Sequence, residues 1–335
     1  MEPVTGTAPR VVPGLQRFLS VARRLWGSPR ARLVTKILFA ALAVVLTGMA
    51  AWRFSSAGWP FARGKPLLIV GSGLLFLLAY VVKAWGWRWL FAPDERPHTS
   101  ALAAAGGAAS ITGLALPGRF DDVVRVTVVR RYPGTRVGVK GLLFSLFALG
   151  LIDAVALTPL ASTAAALTGS SMVRIALALV AGAGVLAAIV LVGLPKLMTC
   201  GRLIRFRLAH WVRERCPSLP ETLKAAAIVH ASWLVRVVGV LLLLGGLGHG
   251  LSLPLAMLFL CAGAASAALP LGPAGAATQA GGGAVILVAS GVGSAAAIDF
   301  ALASQALVVM AGATVLLATV VWHFSRKFVL RTATP

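Results

Sequence analysis

Arg119, Asp121, Asp122 and Arg125 put four charges into seven positions, directly after Pro117 and Gly118 and inside an otherwise apolar stretch. On a helix that begins near Gly118, Asp121 and Arg125 form an i,i+4 pair. Asp122 lies one position round, with Arg119 three residues behind it. Charges at membrane depth must pair or face water. A group of this kind can exchange an internal ion pair for a phosphate or a lipid head group, since the planar arginine fork grips two oxygens at once. An interfacial loop of snorkelling arginines with solvated carboxylates accounts for the same residues.

A second set is dispersed. Asp153 stands in the middle of an apolar run with no charge beside it, so it must face the protein interior and find a partner or bind a proton. Lys83 and Arg236, each within an apolar run of its own, are the candidate partners. Lys83 is near enough to the end of its run to snorkel, whereas Arg236 is deeper. Asp299 reads as a residue at a helix start. Around Pro270, Pro273 and Gly275, followed by Thr278 and Gln279 and by Gly281 to Gly283, a broken helix would aim backbone N–H groups into a cavity. Close packing of small residues is the other reading of this stretch.

The chain that positions these groups has 335 residues, of which 59% are hydrophobic and 12% charged, against about 25% charged in soluble domains. Lys and Arg number 31 and Asp and Glu 9, for a formal charge of +22. The basic residues lie between long apolar runs, so they read as topology signals and contacts to anionic lipid head groups; a nucleic-acid role is excluded. Cys200, Cys216 and Cys261 form no disulfide framework. Cys200, His210 and Cys216 fit no zinc pattern, so no metal and no cofactor is expected.

Runs long enough to cross a bilayer, about 20 residues, occur at 37–54, 67–90, 141–161, 173–195, 225–247 and 296–324. Residues 100–117 and 254–290 are rich in Gly and Ala and broken by Pro, and read as re-entrant hairpins. With both termini cytoplasmic, this arrangement places 25 of the 31 basic residues on the inner side, as the positive-inside rule prefers. The expected class is therefore an all-α polytopic protein of the plasma (inner) membrane, with about six full transmembrane helices and two broken-helix hairpins. The order span, span, hairpin, span occurs twice. A shift of 153 residues lays Ala115-Leu116-Pro117 on Ala268-Leu269-Pro270 and Lys83 on Arg236. Three crossings per half make the second half inverted. The expected divisions are a basic segment at 1–36 with an amphipathic helix, a first repeat at 37–165 with its hairpin at 100–130, a second at 173–325 with its hairpin at 254–290, and a cytoplasmic tail at 326–335.

At its motifs the chain resembles the lysylphosphatidylglycerol synthase transmembrane region, a family of flippase-like integral membrane proteins. Pro117, Gly118, Arg119, Asp122 and Arg125 match the family's Pro-Gly-Arg stretch with its following acid and arginine. Of a Glu-Arg-x-x-Asp motif only Asp153 is kept, Leu149 and Gly150 replacing the charged pair. Where the family carries a Pro-Gly-Gly-x-Gly stretch leading to a Glu, this chain has Pro273-Ala274-Gly275-Ala276-Ala277, with Gln279 near the acidic position. The resemblance covers roughly residues 35 to 325 and implies a membrane domain that, in some members, moves an aminoacylated phospholipid between leaflets. The synthase members add a soluble aminoacyl-transfer domain after the membrane part, and none is expected in the roughly dozen residues after the last span here.

The leading expectation is a flippase or transporter for a phospholipid or a lipid-linked precursor, with membrane lipids and their anionic head groups as partners. A membrane-embedded lipid-phosphate enzyme is an alternative, but it needs a nucleophile or clustered carboxylates with metal; Asp121 and Asp122 are the only acidic pair in a membrane element, and Thr127 has no adjacent histidine. No enzyme is expected on these grounds. A non-transporting scaffold for a lipid-modifying enzyme is the third reading.

Overall fold

The computed structural model describes residues 61–62, 64–115, 120–197, 216–268 and 275–332. The expected amphipathic helix within 1–36, the span at 37–54, the loop residues Cys200 and His210, and Pro117, Gly118, Arg119, Pro270 and Pro273 lie outside them. Among the described residues every regular element is a helix: α1 (Pro66–Arg88), α2 (Thr99–Ala115), α3 (Phe120–Arg131), α4 (Val139–Leu167), α5 (Ser171–Leu197), α6 (Leu219–Gly246), α7 (Leu253–Ala268), α8 (Gly275–Ala289) and α9 (Ser294–Thr332).

Five of them, α1, α4, α5, α6 and α9, contain stretches long and apolar enough to cross a membrane. They coincide with five of the six expected spans, and the protein is a multi-pass helical membrane protein. Their outward faces agree with this assignment. On α1, Leu67, Val70, Leu74, Leu78, Val81 and Trp85 recur at helical spacing and are all exposed, a stripe that lipid rather than water would cover.

The ends of the helices follow local chemistry. Ser218 and Glu221 form a capping box that, with Pro220 in the first turn, starts α6 six residues before the apolar run begins. At the other end of the chain, α9 runs on through Arg326 and Lys327 to Thr332, past the expected beginning of a tail at 326. No glycine or proline follows Trp322 before Thr332 to end it. Asp299 sits exposed in the second turn of α9 and not at its cap.

α1 packs most extensively on α6, and the pair is antiparallel. Ser72 Oγ donates to the Gly239 carbonyl at 2.7 Å, the Lys65 N–H donates to the Gly246 carbonyl at 2.8 Å, and Gly86 lies against Ala225 and Val229. Midway between the contacts at Ser72 and Gly86 lie Ala79 and Ser232, both fully buried. α2 packs on α3 and on α9, while α7 packs on α8 and on α4. At the end of the bundle where α1 finishes and α6 starts, Arg96 pairs with Glu221. The Trp89 ring lies under both cations there, 4.5 Å from Arg96 and 3.6 Å from Lys224. A tryptophan with basic neighbours suits a membrane–water interface.

Candidate functional site

The charged residues buried deepest in the spans converge. Asp153 is the middle residue of α4. Its Oδ2 accepts from Lys83 Nζ at 2.7 Å and its Oδ1 accepts from Trp233 Nε1 at 2.9 Å, so α1 and α6 both hold one carboxylate. Both ionic side chains are 22% exposed. Lys83 therefore turns toward the middle of the bundle and does not snorkel to the end of its helix. Two further contacts fix the three helices around it. Trp87 Nε1, one turn beyond Lys83, donates to Ser145 Oγ at 3.1 Å, and Ser145 in turn donates to the Leu142 carbonyl at 2.8 Å. His230 Nδ1 is 2.9 Å from the Ala156 carbonyl. Residues 230 and 233 of α6 thus meet residues 156 and 153 of α4, each an i,i+3 pair on one face.

Arg236 completes the cluster without joining the ion pair. Its guanidinium carbon lies 5.1 Å from the centroid of the Trp233 ring and 5.6 Å from that of Tyr80. Lys83 Nζ lies 5.6 Å from the Trp233 ring. One indole thus lies within reach of two cations while its N–H serves the Asp153 carboxylate. Arg236 Nε is buried and has no hydrogen-bond partner, and none of the ion pairs among the described residues involves Arg236.

On α3 the expected i,i+4 pair is present, and Arg125 holds both acids: Asp121 at 3.1 Å and Asp122 at 2.6 Å. Arg125 and Arg236 both lie within electrostatic range of Lys83. The structure thus brings Lys83, Asp153 and Arg236 together with Arg125 near by. Gln279 is exposed on α8, its backbone carbonyl facing Gly263 on α7. Gly275 begins α8, and the side chain of Thr278 lies outside the described residues. Outside the spans, burial pushes the Cys216 thiol up, which makes it a poor nucleophile at neutral pH.

Sequence reasoning missed Trp233, Tyr80 and His230. A signal for two of them was present: Tyr80 precedes Lys83 by three residues as Trp233 precedes Arg236, and the 153-residue shift superposes both pairs. Trp233→Phe keeps the ring and removes the donor to Asp153. It is expected to cost about 1.5 kcal/mol, the low end for a hydrogen bond to a charged group, read as a lower midpoint in thermal unfolding of the detergent-solubilised protein.

Comparison with known proteins gave no match to a family model, to a curated protein or to a solved structure. The geometry therefore carries the functional argument.

Proposed function

We propose that the protein is a lipid transporter, moving a phospholipid or lipid-linked precursor between leaflets through a site between two inverted halves. The observation that carries this reading is the Lys83, Asp153, Trp233 and Arg236 cluster. Ionisable groups from both halves meet at the midpoint of a span, where a lone charge on a helix costs about 3 kcal/mol. A purely structural core has no use for so many; a path for charged head groups does.

The helix register supports the inverted halves. Ser72 and Ala225 differ by 153 residues, as do Gly86 and Gly239, Ala79 and Ser232, and Lys83 and Arg236. The α1–α6 contacts of Ser72 with Gly239 and of Gly86 with Ala225 are therefore one contact made twice about a pseudo-two-fold axis. Exchanging α1 with α6, α2 with α7, α3 with α8 and α4 with α9 maps the pairing of α2 on α9 onto that of α7 on α4, and the pairing of α1 on α9 onto that of α6 on α4. The partner of α5 would be the span expected at 37–54.

In this reading α2–α3 and α7–α8 are re-entrant hairpins. Their helices have 17, 12, 16 and 15 residues. At about 1.5 Å per residue none reaches across the roughly 30 Å hydrocarbon core, and each packs on its sequence neighbour as a hairpin does. The protein would lie in the inner membrane with both termini cytoplasmic.

The test is lipid scrambling in liposomes reconstituted with the full chain, over head groups from anionic phospholipids to polyprenyl phosphates. Movement that falls at least about tenfold, 1.4 kcal/mol in barrier, in Arg125→Ala and Asp153→Asn is expected. Folded protein that moves no lipid would reject the reading. The hairpin topology has its own check: a single cysteine at Gln279 should react with an impermeant reagent from the outer side, and access only from the cytoplasm would contradict it.

A further inference from the structure

We infer that Arg236 is an oxyanion subsite, a guanidinium held ready for one phosphate or carboxylate group that the protein itself does not supply. The inference deepens the transport reading and rests on it for the source of the anion, a lipid head group.

The argument starts from an asymmetry between two equivalent positions. Lys83 and Arg236 are related by the 153-residue shift, and each follows an aromatic residue by three positions. Lys83 has a resident acid, Asp153. The same shift carries Asp153 onto Ala306 of α9, with Gln305 beside it, so the counterpart acid of Arg236 is missing from the sequence. Among the described residues no ion pair replaces it: Asp121 and Asp122 are held by Arg125 and Glu221 by Arg96, Asp94 and Glu95 stand in the loop between α1 and α2, and Asp299 is exposed in the second turn of α9. The consequence is visible at the side chain, whose Nε is buried and unpartnered.

A guanidinium cannot shed its charge near neutral pH, and Arg236 is half-buried with its Nε fully buried, so the absence of a countercharge is a standing cost unless an anion enters in the working cycle. The surroundings favour an oxyanion over a neutral ligand. The rings of Tyr80 and Trp233, 5.6 and 5.1 Å from the guanidinium carbon, attract the cation but bring no countercharge to it, and a guanidinium can give two N–H groups to one oxyanion. One turn earlier on the same face of α6, Ser232 carries a buried hydroxyl without a partner.

The experiment measures thermal midpoints and binding by titration calorimetry for the full chain and for Arg236→Met and Arg236→Lys in neutral detergent. The probes are dihexanoyl phosphatidylglycerol, dihexanoylglycerol, which has no phosphate, and inorganic phosphate. The subsite requires that the phosphatidylglycerol bind and stabilise the natural chain, that dihexanoylglycerol do neither, and that Arg236→Met weaken binding at least about tenfold with Arg236→Lys between. Without ligand, Arg236→Met should melt no lower than the natural chain, because it removes an unpaired charge. A variant that melts as low as Asp153→Asn, or that binds the lipid as the natural chain does, would overturn the inference. Inorganic phosphate binding as well as the lipid would keep the subsite and identify a free anion as its source, which counts against lipid transport. Scrambling that fails while binding depends on Arg236 rejects the transport reading alone; scrambling that is unchanged in Arg236→Met rejects the subsite alone.

Discussion

Asp153→Asn is expected to lower the stability of the protein by about 2 to 3 kcal/mol, somewhat under the usual 3–5 for breaking a buried ion pair because part of both side chains remains accessible. The substitution keeps the size of the side chain and one acceptor, so Trp233 can still donate to it. What it removes is the countercharge, leaving Lys83 and Arg236 as two cations against one indole. Thermal unfolding in detergent measures the effect. The double change Lys83→Met with Asp153→Leu separates structure from function: it takes out both charges and should restore the midpoint to within about 1 kcal/mol of the natural chain, since apolar replacement of a buried pair is often neutral or better. Scrambling should stay lost. Recovery of both stability and transport in the double variant would show that the pair serves only to hold helices together.

Gly107→Val should be strongly damaging although the position carries no charge. α2 and α9 approach so closely here that a Cβ at Gly107 would overlap the carbonyl oxygen of Gly312 and press on the backbone of the next turn. Backbone cannot rotate away as a side chain can, so the two helices must separate. Because association of membrane helices relies on close packing of small residues, separation loses contacts along the whole crossing. A cost of about 3 kcal/mol is expected, the upper end for overpacking. Gly312→Ala is the internal control. Its Cβ would meet first the Ser110 hydroxyl, the end of a side chain that can turn, so its cost should be clearly smaller. Midpoints in the reverse order would mean that the α2–α9 crossing is looser than described.

The ordering of effects bears on what could be read from the chain in advance. The spans were legible because an apolar run and its breakers act locally: Pro66 opens α1, Ser218 and Glu221 cap α6, and a helix of sufficient length and hydropathy needs no partner to be recognised. The ion pair on α3 was legible for the same reason, as Asp121 and Arg125 are one turn apart. The closeness of α2 to α9 was not, since a glycine in an apolar helix signals close approach without naming the surface approached.

By itself, then, the amino-acid sequence determined that this is a helical membrane protein, where five of its spans run, and that Asp153 must find a partner, all consequences of local hydropathy and of the cost of a lone charge in lipid. Only the tertiary structure decided which partner. Lys83 and Arg236 are alike in type, each a cation within an apolar run, and Asp153 is separated by 70 residues from Lys83 and by 80 from Trp233. Helix facing turned Lys83 and the Trp233 N–H onto the two carboxylate oxygens and left Arg236 against aromatic rings. The choice depends on the relative rotation of three packed helices, which no run of neighbouring residues encodes.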